Sequence, residues 1–184
     1  MIADTTDTPA GADAVVVRPA RCPDDAPALA DAILRNRAHM RPWEPHRPEE
    51  FYTAEAQVRR LEEPGTRHVV AVEGDRVVGG ARLSGTVLGP FRTTSLGYWV
   101  DPAVGGRGVA TRMVAECRRI AVEELGLHRI EASTILDNTA SQRVLAKSGF
   151  ERIGTAPRYL HIDGAWRDHH LFQLILHDNP PPLR

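Results

Sequence analysis

Cysteine is nearly absent from this chain. Cys22 and Cys117 are the two in 184 residues, far apart and outside any C-x-x-C spacing, so neither a disulfide framework nor a zinc ribbon is available. Long apolar runs are missing too, which excludes a membrane-spanning helix. No block of one charge occurs. The 23 basic and 24 acidic residues leave a net charge of −1, which argues against nucleic acid or an anionic membrane as the main partner. The opening "MIADTTDTPAGADA" carries early acids and no apolar core, so no signal or transit peptide is expected there. A cytoplasmic protein without a metal is the expectation.

What is present suits an ordinary folded domain, with 42% hydrophobic and 26% charged residues. Three parts are expected: a structureless tail over residues 1–13, one domain over 14–178, and a proline-rich tail over 179–184. "AVVVRPA" (14–20) reads as a strand. "PDDAPALADAILRNRAHM" reads as one helix capped by Asp24 or Asp25, with Leu29, Ile33 and Leu34 at helical spacing. "RPWEPHRP" (41–48) is a loop by its prolines, and "EEFYTAEAQVRRLEE" a second helix ended by Pro64-Gly65. Two strands flank Glu73-Gly74-Asp75 as a hairpin. Strand 93–100 then leads through Asp101-Pro102 to "VGGRGVAT" and a helix with Val109, Met113, Val114, Cys117, Ile120 and Ala121 on one face. Strand 128–135 alternates, a helix over 138–148 stops at Gly149, and two strands in "FERIGTAPRYLHI" and "WRDHHLFQLIL" finish the order. Hairpins followed by strand-helix-strand-helix-strand predict one mixed sheet with helices on both faces.

The glycine stretch carries most of the functional information. Gly105, Gly106 and Gly108 stand at the mouth of a helix. The Rossmann pattern fails because Thr111 occupies its last position, and no register supplies a Walker A loop. A tight turn without a ligand is one reading. The other is a strand, a loop and a helix start whose bare N–H groups and dipole face a phosphate, with glycines removing the Cβ that would block approach.

"DPAVGGRGVATRMV" followed by "DNTASQRVLAKSGF" resembles the GNAT superfamily of acyl-CoA N-acyltransferases. "GYWVDP", the spacing Asn138, Ser141, Lys147, Gly149, Phe150 and the late "DGAWRDHHLF" are similar to its RimJ/RimL branch, which acetylates protein N-termini. The likeness runs from about residue 15 to 177. The family loop usually opens on Gln or Arg, and here that position is Gly105, so one polar contact is lost. The resemblance implies an α+β GNAT fold with a central sheet of about seven mostly antiparallel strands. It also implies acetyl-CoA as co-substrate and direct attack by a primary amine, first of all a protein N-terminal amine. Small amines such as polyamines or antibiotics, a succinyl-CoA donor, and a CoA-binding module without turnover are the alternatives. A homodimer is left open.

Under that resemblance the pyrophosphate rests on the amides of Gly106, Arg107, Gly108, Val109, Ala110 and Thr111, with Arg107 adding charge and Gly105 counted with them in the cofactor-binding loop. Pantetheine pairs with the backbone of Trp99 and Val100 as an added strand, and the Val100 N–H faces the oxyanion. Asn138 holds the pantetheine arm in addition to capping its helix. Ser141 gives a proton to the departing thiolate. Arg143 and Lys147 reach the outer phosphate or are solvated surface charge. Glu131 is the candidate base, and Asp168 and His161 are candidates to line the acceptor side. The demand on a base is modest for an N-terminus, since roughly a tenth of α-amines are neutral at pH 7 against about one lysine in a few thousand. His169 and His170 point to opposite strand faces, which rules out a shared metal site. Cys117 is core packing. The loop over 39–52, with Trp43, His46 and Tyr52, is the expected acceptor wall, faced by Tyr159 and Trp166.

Overall fold

The computed structural model describes residues 14–180, so the expected tail over 1–13 and the last four residues lie outside it. Seven strands form one sheet in the order β1-β2-β3-β4-β5-β7-β6. They are β1 (Val16–Pro19), β2 (Arg67–Glu73), β3 (Arg76–Val87), β4 (Thr93–Val100), β5 (Arg129–Ile135), β6 (Glu151–Ile162) and β7 (Ala165–Ile175). Every neighbouring pair is antiparallel except β4 with β5. The mixed sheet expected from the strand order is the one observed.

Helices cover both faces. On one lie α1 (Ala26–Arg35) and α3 (Ala54–Leu61), with the four-residue α2 (Arg37–Met40) between them. Leu29 and Ala32 of α1 pack with Val70, Val77 and Trp99 there. On the other lie α4 (Val109–Arg119) and α5 (Thr139–Lys147). Val109, Met113, Val114 and Cys117 of α4, then Ile120 and Ala121 of the widened turn that continues it, are buried against Leu83, Leu96 and Ile130. Gly79 makes that approach possible, because a Cβ there would meet the Met113 Cε at 3.1 Å. No helix among the described residues is long and apolar enough to cross a membrane.

Several local expectations need correction. The first helix is interrupted at Asn36, whose side-chain amide turns back to the Ala32 carbonyl at 2.9 Å. Asp25 makes no side-chain cap. Its carboxylate instead holds Arg18 through two bonds of 2.7 and 2.8 Å and the Arg21 amide at 2.7 Å, so a charge from β1 outcompetes the helix end. The second helix begins only at Ala54. Thr53 caps it by accepting from the Ala56 amide at 3.2 Å, and a 3-10 turn over Glu49–Tyr52 precedes it.

Candidate active site

The defining feature is a parting of two strands. β4 and β5 pair in parallel through Thr93↔Arg129, Thr94↔Ile130 and Ser95↔Glu131, and no farther. From Leu96 onward β4 stays with β3, while Ala132 to Ile135 stay with β7. A wedge therefore opens along the last five residues of β4.

The ladder shows which backbone groups face that wedge. The Asp101 N–H donates to the Val78 carbonyl at 2.8 Å, a hydrogen-bonded pair in register with Gly79↔Val100 and Gly80↔Trp99. Bonded and non-bonded pairs alternate in antiparallel ladders. The polar groups of Trp99 therefore turn to β3, and those of Tyr98 and Val100 turn to the opening. The Val100 backbone faces the wedge, where it was expected; Trp99, expected beside it, has its backbone committed to β3, and the Tyr98 backbone faces the wedge in its stead. The Trp99 ring serves the other face, where a Cβ at Gly80 would meet its Nε1 at 2.9 Å.

At the top of the wedge is the glycine loop. Gly106 and Gly108 both have φ +75 with nothing within 4 Å of a built Cβ, so conformation rather than crowding selects glycine there. The first helical bond of α4 runs from the Arg112 amide to the Gly108 carbonyl at 3.1 Å. That leaves the amides of Gly106, Gly108, Val109, Ala110 and Thr111 without main-chain partners among the described residues. This donor set fits a diphosphate, with the helix dipole behind it. Gly105, by contrast, has ordinary angles, φ −57 and ψ 145. Its amide is taken by the Pro102 carbonyl at 3.1 Å, so Gly105 shapes the loop rather than donating. Arg107 pairs with Glu73 of the β2–β3 hairpin at 2.9 Å, which anchors it beside the loop.

Asp101 fixes the junction of strand and loop. Its Oδ1 accepts from the Ala103 amide at 2.9 Å, and its Oδ2 receives Arg35 at 3.2 Å and Asn36 at 3.3 Å. Burial opposes the charge. The Ala103 amide, Asn36 and Arg35 together overcome it and hold the carboxyl below its usual range.

The far side of the wedge is α5. Asn138 accepts from the Ser141 amide at 3.0 Å, the expected N-cap. Ser141 Oγ lies 2.8 Å from the Tyr98 hydroxyl. Burial pushes the Tyr98 phenol up to about 12, against the hydrogen bond to Ser141, so it stays protonated at neutral pH. Arg143 and Lys147 are exposed, as solvated charges would be.

Below β4, on the α1 and α3 face, a cavity of about 210 Å³ reaches Gly97, Tyr98 and Trp99. A neighbouring one of about 200 Å³ is lined by Arg37, Met40, His46 and Tyr52. Glu44 borders both cavities. Burial raises its carboxyl above the usual range, opposed by Arg47 and Arg60. Sequence reasoning placed this loop at the acceptor wall yet passed over Glu44, the one acid inside its proline-framed "RPWEPHRP". Glu131 is taken by Arg129 at 2.6 Å. Asp168 accepts from the Arg158 amide at 2.8 Å and shapes the β6–β7 hairpin. His161 and Trp166 meet edge to face, with ring centroids 5.6 Å apart, in that hairpin. Its turn is tied to the proline-rich loop over 39–52, since Asp163 receives Arg41 at 3.0 Å and His46 at 3.2 Å. Burial lifts the Cys117 thiol to about 12, which keeps it inert. Among the described residues no group of three His, Cys, Asp or Glu is gathered to hold a metal.

A helix start with open amides, a strand splayed from its parallel neighbour and a hydroxyl pair across the gap are what an acyl-CoA-dependent N-acyltransferase needs. The family model for the acetyltransferase (GNAT) domain matches residues 15–151, and the chain belongs to that family. It is similar to the [ribosomal protein uS5]-alanine N-acetyltransferase of Escherichia coli, 33% identical over 166 residues covering 85% of this chain and 86% of that protein. Among solved structures it resembles the ribosomal-protein-S5-alanine acetyltransferase of Vibrio fischeri, with a TM-score of 0.85 at 34% identity, covering 91% of this chain and 96% of that one. It also resembles Mycobacterium smegmatis RimJ in complex with CoA-disulfide, with a TM-score of 0.75 at 32% identity, covering 89% and 83%. The chain is an acetyl-CoA-dependent N-acetyltransferase of the RimJ/RimL type.

Proposed function

We propose that this protein acetylates the α-amine of a protein N-terminus in a ternary complex in the cytoplasm. The observation that carries the reading is the wedge itself. It lays the open polar edge of Tyr98 and Val100 between an amide cradle at Gly106–Thr111 and the Ser141 hydroxyl. Acetyl-CoA supplies the thioester. The diphosphate is assigned to the amides of Gly106, Gly108, Val109, Ala110 and Thr111, with Arg107 beside them. Pantetheine is assigned to the wedge-facing groups of Tyr98 and Val100, with Asn138 on its far side.

The amine enters from the cavity bordered by Glu44. Its nitrogen bonds to the thioester carbonyl carbon as the carbon–sulfur bond breaks. The amine proton passes to Glu44, directly or through water, and the leaving sulfur takes a proton relayed through Ser141, whose hydroxyl is replenished from solvent as it gives up its own. The Val100 N–H is aimed to stabilise charge developing on the carbonyl oxygen. Glu131 keeps Arg129 in place at the foot of the wedge and contributes through that contact. The alanine of ribosomal protein S5 on which the two relatives are named to act supports a protein acceptor, read here as its N-terminal amine. The test is thiol release from acetyl-CoA with N-terminal peptides, polyamines and aminoglycosides, and with succinyl-CoA in parallel. Release with peptides alone is the expected result, and release with polyamines alone would overturn the acceptor assignment.

A further inference from the structure

The cavity beneath β4 has an unusual charge pattern. Two strand registers place His68 opposite Arg82 and Arg82 opposite Gly97, so three residues form a row across β2, β3 and β4 on one face. Space above Gly97 is open, with nothing within 4 Å of a built Cβ. The row therefore ends in a floor of bare backbone, one residue from Tyr98 and the wedge.

Cations converge on that floor. Arg82 and His68 line the cavity with Arg47 and Arg60. Arg47 and Arg60 stack on the Phe51 ring at 4.8 and 4.6 Å, and Gln57 fixes Arg60 at 2.7 Å. Two polar nitrogens here are buried without a partner, His68 Nε2 and Arg82 Nε. Such groups are costly to leave unsatisfied, and a bound acceptor would relieve both. Counter-charge is short. Glu63 pairs with one edge of Arg82 at 3.3 Å, and Glu44 is the other acid at hand. Burial first, then the like charges of Arg82 and Arg47, bring Arg60 down to about 10.

We infer that this cavity binds a carboxylate carried by the amine acceptor a few bonds from its reacting nitrogen, with Arg82, Arg60 and Arg47 as its partners over Gly97. The inference rests on the acetyl-transfer reading and narrows it to acceptors with an acidic group beside the amine. Two sources share that chemistry: an Asp or Glu side chain at the start of a peptide, and the α-carboxylate of a free amino acid.

Two measurements test it with the intact protein. The first is kcat/KM for peptide amides matched except for Asp, Asn or Lys in the second position, alongside free α-amino acids. The second is the Kd of the corresponding N-acetylated peptides for the CoA-loaded protein, which needs no turnover. The Asp peptide is expected to exceed its Asn partner at least tenfold in both, with Lys poorest. Arg82→Gln is expected to abolish the difference while leaving CoA affinity in place. Arg47→Gln, on the loop, gives the same answer if the strand variant does not fold. Free amino acids outperforming every peptide would assign the site to an α-carboxylate. Equal handling of Asp and Asn within twofold, in kinetics and in binding, overturns the inference and leaves acetyl transfer standing. Tighter binding of the acidic acetyl-peptide with no thiol release from any amine upholds the carboxylate site and sinks the transfer reading.

Discussion

The Tyr98 hydroxyl bridges the wedge to α5, standing 2.8 Å from Ser141 Oγ and 3.1 Å from the Ser141 carbonyl. When Tyr98 donates to Oγ, the serine hydrogen is left for an atom in the wedge. A phenol held near 12 does not lose its proton at neutral pH, so the pair acts as a fixed donor chain rather than a base.

Ser141→Ala is therefore expected to lower kcat by about a hundredfold, within the range for a positioned proton donor, with CoA affinity little changed. Tyr98→Phe keeps the serine and should cost less, about tenfold. Single-turnover kinetics with free-thiol detection separates this from a binding defect. Equal kcat in wild type and Ser141→Ala would remove the residue from the reaction.

Glu44 must be deprotonated to accept a proton, and its carboxyl titrates above the usual range because the cavity buries it. Activity should accordingly rise with pH through an acid limb displaced upward from an ordinary glutamate. Glu44→Gln is expected to reduce kcat/KM by about tenfold to a hundredfold and to erase that limb. Glu131→Gln should retain the limb, because Glu131 acts through Arg129. A surviving limb in Glu44→Gln would return the role to another group.

How much of this was legible follows from the range of the interactions involved. The glycine turn into a helix, the Asn138 cap and the alternation of β5 are local patterns, and as structure they read correctly. The facing of β4 is not local. Trp99 and Tyr98 are neighbours in sequence, and the hydrogen bond between Asp101 and Val78 decides which one has backbone to spare. The row His68–Arg82–Gly97 draws on positions 68 to 97 of the sequence by two registers, and no spacing rule brings it together. Asp25 looks like a helix cap until Arg18 claims it. Tertiary pairing thus overrode capping propensity where a buried charge was at stake.

Gly106 and Gly108 sit at φ +75 in open space, so alanine adds strain without a clash. Each Gly→Ala change should cost about 1–2 kcal/mol, read as a lower Tm, and should weaken CoA binding by bending the amide cradle. Asparagine tolerates this region better, so Gly108→Asn is expected to recover part of both losses. Alanine variants with wild-type CoA affinity would show that the cradle does not depend on this backbone.

Asp101 offers the most direct test of how the fold holds the loop. Asp101 is 4% exposed, and its carboxylate joins Arg35, Asn36, the Ala103 amide and, at 3.5 Å, Arg76. Because its folded pKa is depressed, its stabilisation is present above the ordinary aspartate value near 4 and is lost as pH falls through the lower folded value. Asp101→Asn removes the charge and leaves Arg35 with Asp31 at the surface. We expect about 2–3 kcal/mol of destabilisation at pH 7, below the loss for a fully buried pair because Arg35 is partly solvated. The gap between wild type and variant should narrow in urea melts taken below pH 4. CoA affinity should fall in step, since Asp101 positions Ala103 and the turn into Gly105. A constant gap from pH 7 to pH 3 would mean that the ion pair contributes nothing and that the loss is one of shape.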